Sequence, residues 1–380
     1  LLLLPASARA AADPPADLPA DGWLLVDEAS GDVLAENDAD AARPIASATK
    51  LMTAYLVLRR LDLHDEVTAP AYAAVPGESL MGLRAGEVVS VRDLLYGLLM
   101  ASGNDAAMAL ALRVSGSAPD FVALMNRTAS RLGLGQTNYV DPIGLDGGNV
   151  SSARDLASLA TRLREDRVFR RIVDTERITV GGGEDEHRLT NRNTLVLEEP
   201  FVSGIKTGTT LAAGYVLVGS AEQRGIGLVS AVLGAPGEAE RDAATLELLD
   251  YGFSLYRNRT LVARGERVAA VNLGEDRGRL ALVADSGVHA VARADQEVEV
   301  DYVTPEPPDG AVARGESFGT AIVSLDGAEV GEVPVVAART VAAPEETGLP
   351  DWAWIVFAVA GAIALALAGT AIVVARRPPR

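Results

Sequence analysis

The chain is 380 residues long, 48% apolar and 23% charged, which is enough for more than one packed domain and too apolar for a disordered chain. A formal charge of -18 excludes a nucleic-acid partner, because no basic field is present to displace phosphate counterions. Cysteine is absent, and His64, His187 and His289 are scattered surface or loop positions without metal-ligand spacing, so neither a metal nor a cofactor is expected.

Residues 1–12 run from Leu1-Leu2-Leu3-Leu4-Pro5 into small residues at Ala-x-Ala spacing (Ala6, Ala8, Ala10), and read as the remnant of a secretory signal peptide. Residues 23–26 and 33–35 flank a Ser30-Gly31 turn and predict a strand pair. Residues 46–61 are apolar on more than one face, the mark of a buried helix. Two helical runs, 91–100 and 105–114, are broken by Ser102-Gly103-Asn104, and further helices are predicted at 121–132 and 152–164. The pattern then changes to period 2: residues 202–209, 214–221 and 225–234 read as an antiparallel meander, and a helix follows at 239–256. Strands at both ends with helices between them predict one α+β domain over residues 20–258, an antiparallel sheet flanked by helices.

Residues 260–340 alternate as strands do, with a hairpin turn at Asp326-Gly327, and predict a small all-β domain without a titratable cluster. Residues 341–350 form a linker. No residue from 352 to 375 is charged, and as a helix that stretch is about 36 Å long against a hydrocarbon core of about 30 Å. One transmembrane helix is expected there, with Trp352 and Trp354 at one interface. Arg376, Arg377 and Arg380 put the tail at 376–380 on the cytoplasmic side, so the protein is expected in the cell membrane, single-pass, with its bulk outside the cytoplasm.

The chain has 32 arginines and only two lysines, Lys50 in Ser47-Ala48-Thr49-Lys50 and Lys206 in Lys206-Thr207-Gly208. Both placements arising by chance from average residue usage has odds on the order of one in a few thousand. Arginine supplies nearly all other positive charge, so a retained lysine points to a task a guanidinium cannot perform, namely losing a proton. Ser47 and Lys50, one turn apart on a helix, face the same way as a nucleophile and its base do. Ser47 at a helix start is also a common N-cap, which is the competing reading of this tetrad. An N–H in the first helical turn can bind a developing oxyanion. The Ser102-Gly103-Asn104 turn offers a hydroxyl for proton relay and a carboxamide for a substrate carbonyl. On the strand at 202–209, Gly208 lets a ligand approach the backbone, Lys206 and Thr207 suit a carboxylate, and Thr209 can offer a second oxyanion N–H.

Together and in this order the three motifs resemble the active-site serine penicillin-recognising enzymes. The segments 46–53, 100–107 and 204–208, with Asp141-Pro142-Ile143-Gly144-Leu145 and Ser152-Ala153-Arg154-Asp155, are similar to the low-molecular-mass D-alanyl-D-alanine carboxypeptidases, as is the order of signal, catalytic domain, β domain and anchor. The resemblance implies the serine β-lactamase/penicillin-binding fold, with residues 20–258 as the catalytic serine peptidase domain. It implies a Ser47 acyl-enzyme formed on peptidoglycan stem peptides ending in D-Ala-D-Ala, and acylation by β-lactam antibiotics. Lys50 is then the base, Ser102 and Lys206 belong to the proton network, and Arg241 joins Lys206 and Thr207 on the terminal carboxylate. Ile143 stands where related sequences often carry a polar residue, a departure that assigns that loop no role and alters none of the proposed catalytic residues.

Three other activities compete. A class A β-lactamase needs a Glu between the second and third motifs, and residues 88–164 contain none, which favours long-lived acylation over rapid penicillin turnover. A DD-endopeptidase shares every motif. A non-catalytic, membrane-tethered cell-wall sensor keeps the fold and anchor but has no need of a titratable pair at 47 and 50.

Overall fold

In the computed structural model, residues 14–274, 276–344 and 351–375 are described; the expected signal remnant and the tail at 376–380 lie outside them. The chain divides into two compact units, Leu1–Arg257 and Asn258–Arg380.

The first unit is built on five strands: β1 (Gly22–Asp27), β2 (Val33–Asn37), β3 (Lys206–Thr210), β4 (Gly214–Gln223) and β5 (Ile226–Ala235), in the order β2-β1-β5-β4-β3. All of the pairings are antiparallel. Every residue of β1 is buried, because both faces of the sheet are covered. Leu24, Val26, Val216, Val218, Val229 and Ala231 join the helical core on one face. On the other face Leu25 and Leu228 lie so close to Gly252 of helix α6 (Glu238–Ser254) that a Cβ there would come within 2.8 Å of both.

The helical layer contains α1 (Lys50–Leu58), α2 (Val91–Leu99), α3 (Asn104–Ser115), α4 (Ala118–Leu132) and α5 (Ala153–Arg164). The predicted helix over 46–61 is a 3-10 turn, Ala46–Thr49, followed by α1, whose residues 50–57 are all buried. Three helices start on the same signal: Ser90, Ser117 and Ser152 each accept a hydrogen bond from the backbone N–H of an Asp three residues on. Ser47 has the same spacing to a lysine and caps neither the 3-10 turn nor α1.

Two further expectations are corrected. The strand predicted at 202–209 begins only at Lys206, since Gly204 turns the chain at φ 31°, packed where a Cβ would meet the Val173 carbonyl at 2.6 Å. His187 is no surface loop residue: it opens the strand His187–Thr190, paired with Arg177–Val180, and its Nε2 lies 2.6 Å from buried Glu87.

The second unit holds a sheet in the order Arg267–Asn272, Arg279–Ala284, Ala328–Ala337, Ser317–Leu325, Val298–Asp301, around its own core of Leu280, Leu282, Val323, Val333 and Val335. Asp326 and Gly327 both take positive φ, 48° and 79°, as a two-residue hairpin turn of right-handed twist requires. This α+β fold with a C-terminal β domain is the expected class. The last helix is Asp351–Ala375, but among the described residues its apolar part, Trp352–Ala368, falls short and no single helix is long and apolar enough to cross a membrane.

Buried Arg164 joins the layers: its Nε donates to Glu28 (2.8 Å) and its Nη1 to Ser220 on β4 (2.7 Å). Arg164→Met strands both acceptors, and an urea unfolding curve is expected to show a loss of about 3 kcal/mol, the low end for a broken buried pair because Glu28 keeps some access to water.

Candidate active site

Ser47 is set by strain and close packing. Ala46 is held at φ 46°, a left-handed conformation that a non-glycine residue adopts only when its surroundings impose it. Two glycines make the room. A Cβ on Gly144 would fall 2.0 Å from the Ala46 carbonyl oxygen, and one on Gly208 would fall 2.8 Å from the Ile45 oxygen and 3.1 Å from the Ser47 nitrogen. The edge strand β3 thus lies against the Ser47 amide, and this contact is the reason Gly208 must be glycine.

Lys50 is fully buried at the head of α1 and donates from Nζ to Ser47 Oγ (2.9 Å) and to the Ile143 carbonyl (2.5 Å). The N-cap reading of Ser47 is therefore displaced by a direct serine–lysine bond. The Ile143 loop, to which the sequence assigns no role, reaches Lys50 through its backbone oxygen, so the identity of the side chain there does not enter this contact. That oxygen is aimed by Asp141, whose carboxylate takes the N–H groups of Ile143 (2.7 Å), Gly144 (2.5 Å) and Asp146 (2.9 Å) and the Asn149 amide (2.9 Å).

Burial pushes the Lys50 ammonium down to about 7, and Arg192 adds to this, against the opposing charges of Asp141, Glu78 and Asp105. Lys206, the first residue of β3, is also buried and donates to the Thr207 carbonyl at 2.8 Å. Its own burial, then Lys50, Arg192 and Arg241, hold it well below the usual lysine range.

Ser102 sits between α2 and α3 at φ 59°, fixed by Gly103 N–H to Gly97 O (2.9 Å) and Asn104 N–H to Ser79 O (2.8 Å). Asn104 is buried; its Nδ2 donates to Glu78 (2.8 Å), while its carbonyl oxygen has no partner among the described residues. Its expected grip on a substrate carbonyl therefore falls to the second N–H of that amide. Thr209 lies exposed on β3, opposite Tyr215. Arg241 is buried on α6 with its fork engaged by Glu238 (3.0 Å) and Asp242 (2.7 Å); no bond joins it to Lys206 or Thr207, which its charge reaches without contact.

Sequence reasoning missed Arg192, Glu78, Tyr72 and the roles of Asp141 and Ile143. The Asp-Pro-x-Gly run around Asp141 carried a legible turn signal. The other three lie in irregular segments with no periodic or motif signal.

Gly208→Ala is expected to push β3 off the Ser47 amide and slow β-lactam acylation about 100-fold, the cost of one lost oxyanion donor. Stopped-flow acylation, with circular dichroism to verify folding, measures this; an unchanged rate would remove the Ser47 amide from the reaction.

A family model described as D-alanyl-D-alanine carboxypeptidase matches residues 8–237, and one described as the penicillin-binding protein 5 C-terminal domain matches residues 256–343. The carboxypeptidase DacC of Escherichia coli is 35% identical over 357 residues, covering 87% of this chain and 86% of that protein. DacF of Bacillus subtilis is 31% identical over 325 residues, covering 83% and 84%. Among solved structures, penicillin binding protein 5 from Haemophilus influenzae superposes with a TM-score of 0.61 at 29% identity, covering 87% of this chain and 100% of that one. The Streptomyces K15 DD-transpeptidase gives 0.61 at 31% identity, covering 64% of this chain and 100% of its own. On this match across the whole serine–lysine unit, the chain belongs to the D-alanyl-D-alanine carboxypeptidase family.

Proposed function

We propose that the protein is a serine-type DD-carboxypeptidase that removes the terminal D-alanine from peptidoglycan stem peptides through an ester on Ser47. The observation that carries this reading is the buried Lys50 amine 2.9 Å from Ser47 Oγ, brought to about 7 by burial, so that a substantial share of it is neutral and able to accept a proton near neutral pH. Neutral Lys50 takes the Ser47 proton as Oγ attacks the carbonyl carbon of the penultimate D-alanine. The Ser47 and Thr209 N–H groups take the oxyanion. Ser102 passes a proton to the leaving amine of D-alanine, and water then hydrolyses the ester. β-Lactams acylate the same oxygen.

The substrate carboxylate is held by Lys206, Thr207 and Arg241, in a field to which Arg192 adds. An arriving carboxylate gives Lys206 the counter-charge that burial denies it, so the ammonium is the form that binds. This cluster of cations in a chain of charge -18 favours a small anionic substrate end over a neutral one.

The sign of the pH dependence follows from Lys50. Its neutral form is the active one, so kcat/KM for D-alanine release from a pentapeptide ending in D-Ala-D-Ala is expected to rise with pH through about 7. The bound carboxylate favours the ammonium, so the acid limb of kcat is expected at higher pH than that of kcat/KM. Measuring free D-alanine across the neutral range tests both; a profile flat through neutrality removes Lys50 as the base.

The apolar C-terminal helix is proposed to anchor the chain in the cell membrane, with the catalytic unit on the extracytoplasmic side. Support comes from the uncharged run at 352–375 and the arginines at 376, 377 and 380. Alkaline extraction is expected to leave the full chain in the membrane fraction and to release a version ending at residue 350; equal release of both would argue against the anchor.

A further inference from the structure

Residues 88–164, the stretch that holds and follows the second motif, contain no Glu. The structure brings one to Asn104 from the other side of that motif, Glu78. Its Oε2 accepts from the Tyr72 hydroxyl (2.5 Å) and from Asn104 Nδ2 (2.8 Å), and its Oε1 accepts from the Val75 N–H (3.0 Å). The segment that carries it is secured independently. Asp105, in the first turn of α3, takes the N–H groups of Met81 (2.8 Å), Gly82 (2.8 Å) and Leu83 (2.9 Å), and Asn104 N–H donates to the Ser79 carbonyl.

We propose that Glu78 is a positioning residue of the active site, which locks the Asn104 carboxamide so that its second N–H is held in one direction to meet a carbonyl on the acyl side of the substrate. An amide side chain has two orientations that differ by exchange of oxygen and nitrogen, and an acceptor-only carboxylate selects the one that presents nitrogen to it. The carbonyl oxygen is then left buried and without a partner among the described residues. Because the amide is planar, fixing one N–H of Nδ2 on Glu78 also fixes the direction of the other, which remains to donate.

Glu78 is poorly suited to a second role as the base for ester hydrolysis. Burial pushes its carboxyl up, but the bonds from Asn104, Tyr72 and Val75 outweigh that and hold it below the usual glutamate range. It stays ionised, weakly basic and occupied.

The proposal rests on Ser47 being the nucleophile and is tested with two β-lactams in the full-length protein. Benzylpenicillin carries a side-chain amide whose carbonyl can accept from Asn104; penicillanic acid has the same ring and carboxylate but no side-chain amide. Glu78→Gln removes the constraint on Asn104, because a carboxamide can face either orientation of its partner. The variant is expected to be acylated by benzylpenicillin about 10-fold more slowly, the value of one well-placed hydrogen bond, and by penicillanic acid within about 2-fold of wild type. Tyr72→Phe, which removes one of three holds on the carboxylate, is expected to give a smaller loss confined to benzylpenicillin. Equal slowing with both compounds in both variants, or none with either, overturns the proposal. A wild-type protein that neither compound acylates sinks the reading of Ser47 itself, and this one with it.

Discussion

An amine with no water around it, 2.9 Å from a serine oxygen, is the constraint on which the rest of the catalytic unit depends. A solvated lysine holds its proton far above neutrality and is useless as a base; here burial removes that preference and brings the group to about 7. The cost of burying such a group must be met by its surroundings, and the Ile143 carbonyl meets part of it with a bond at 2.5 Å. That acceptor suits both charge states, since an amine and an ammonium each donate to it. An arginine at this position would fill the space and keep its charge, so the scarcity of lysine elsewhere in the chain has a chemical meaning at these two positions.

Placing such a pair requires a scaffold with little freedom. Residues 50–57 of α1 are all buried, so Lys50 starts from a helix packed on every face. Around it, separate stretches of backbone close at van der Waals distance: the left-handed Ala46, the Gly144 turn organised by one carboxylate, and the edge strand at Gly208. The edge strand β3 is held to the sheet by its antiparallel pairing with β4 from Lys206–Val218 to Thr210–Gly214, and its first three residues are buried. Preorganised donors of this kind lose little when charge develops on a substrate, because they have already been paid for in folding.

The second lysine follows the same physics with a different outcome. Lys206 feels the charges of Lys50, Arg192 and Arg241, while the guanidinium of Arg241 is itself engaged by Glu238 and Asp242. Among such like charges a carboxylate would supply the counter-charge that the cations lack. An anion beside Lys206 would also raise the proton affinity of Lys50, because the two lysines feel each other's charge.

Much of this was legible in the amino-acid order. The period of the apolar residues marked the helices and the meander, the double punctuation at Asp326-Gly327 marked a hairpin, and the Ser-x-x-Lys, Ser-Gly-Asn and Lys-Thr-Gly runs marked the chemistry, because each is a local pattern with a local physical cause. Spacing alone could not tell Ser47 from the capping serines Ser90, Ser117 and Ser152, since all four stand three residues before a polar side chain. Only the packed structure separates them, by burying the lysine and leaving its nitrogen no nearer acceptors than Ser47 and Ile143. Nor does any local rule bring Glu78 to Asn104, Arg192 toward both lysines, or the Ile143 oxygen across 93 residues to Lys50. Residue types and the turns and helices that hold them are fixed by short-range sterics and periodicity; proton affinities and the partners that set them depend on long-range neighbours and on excluded water, which exist only once the chain has folded.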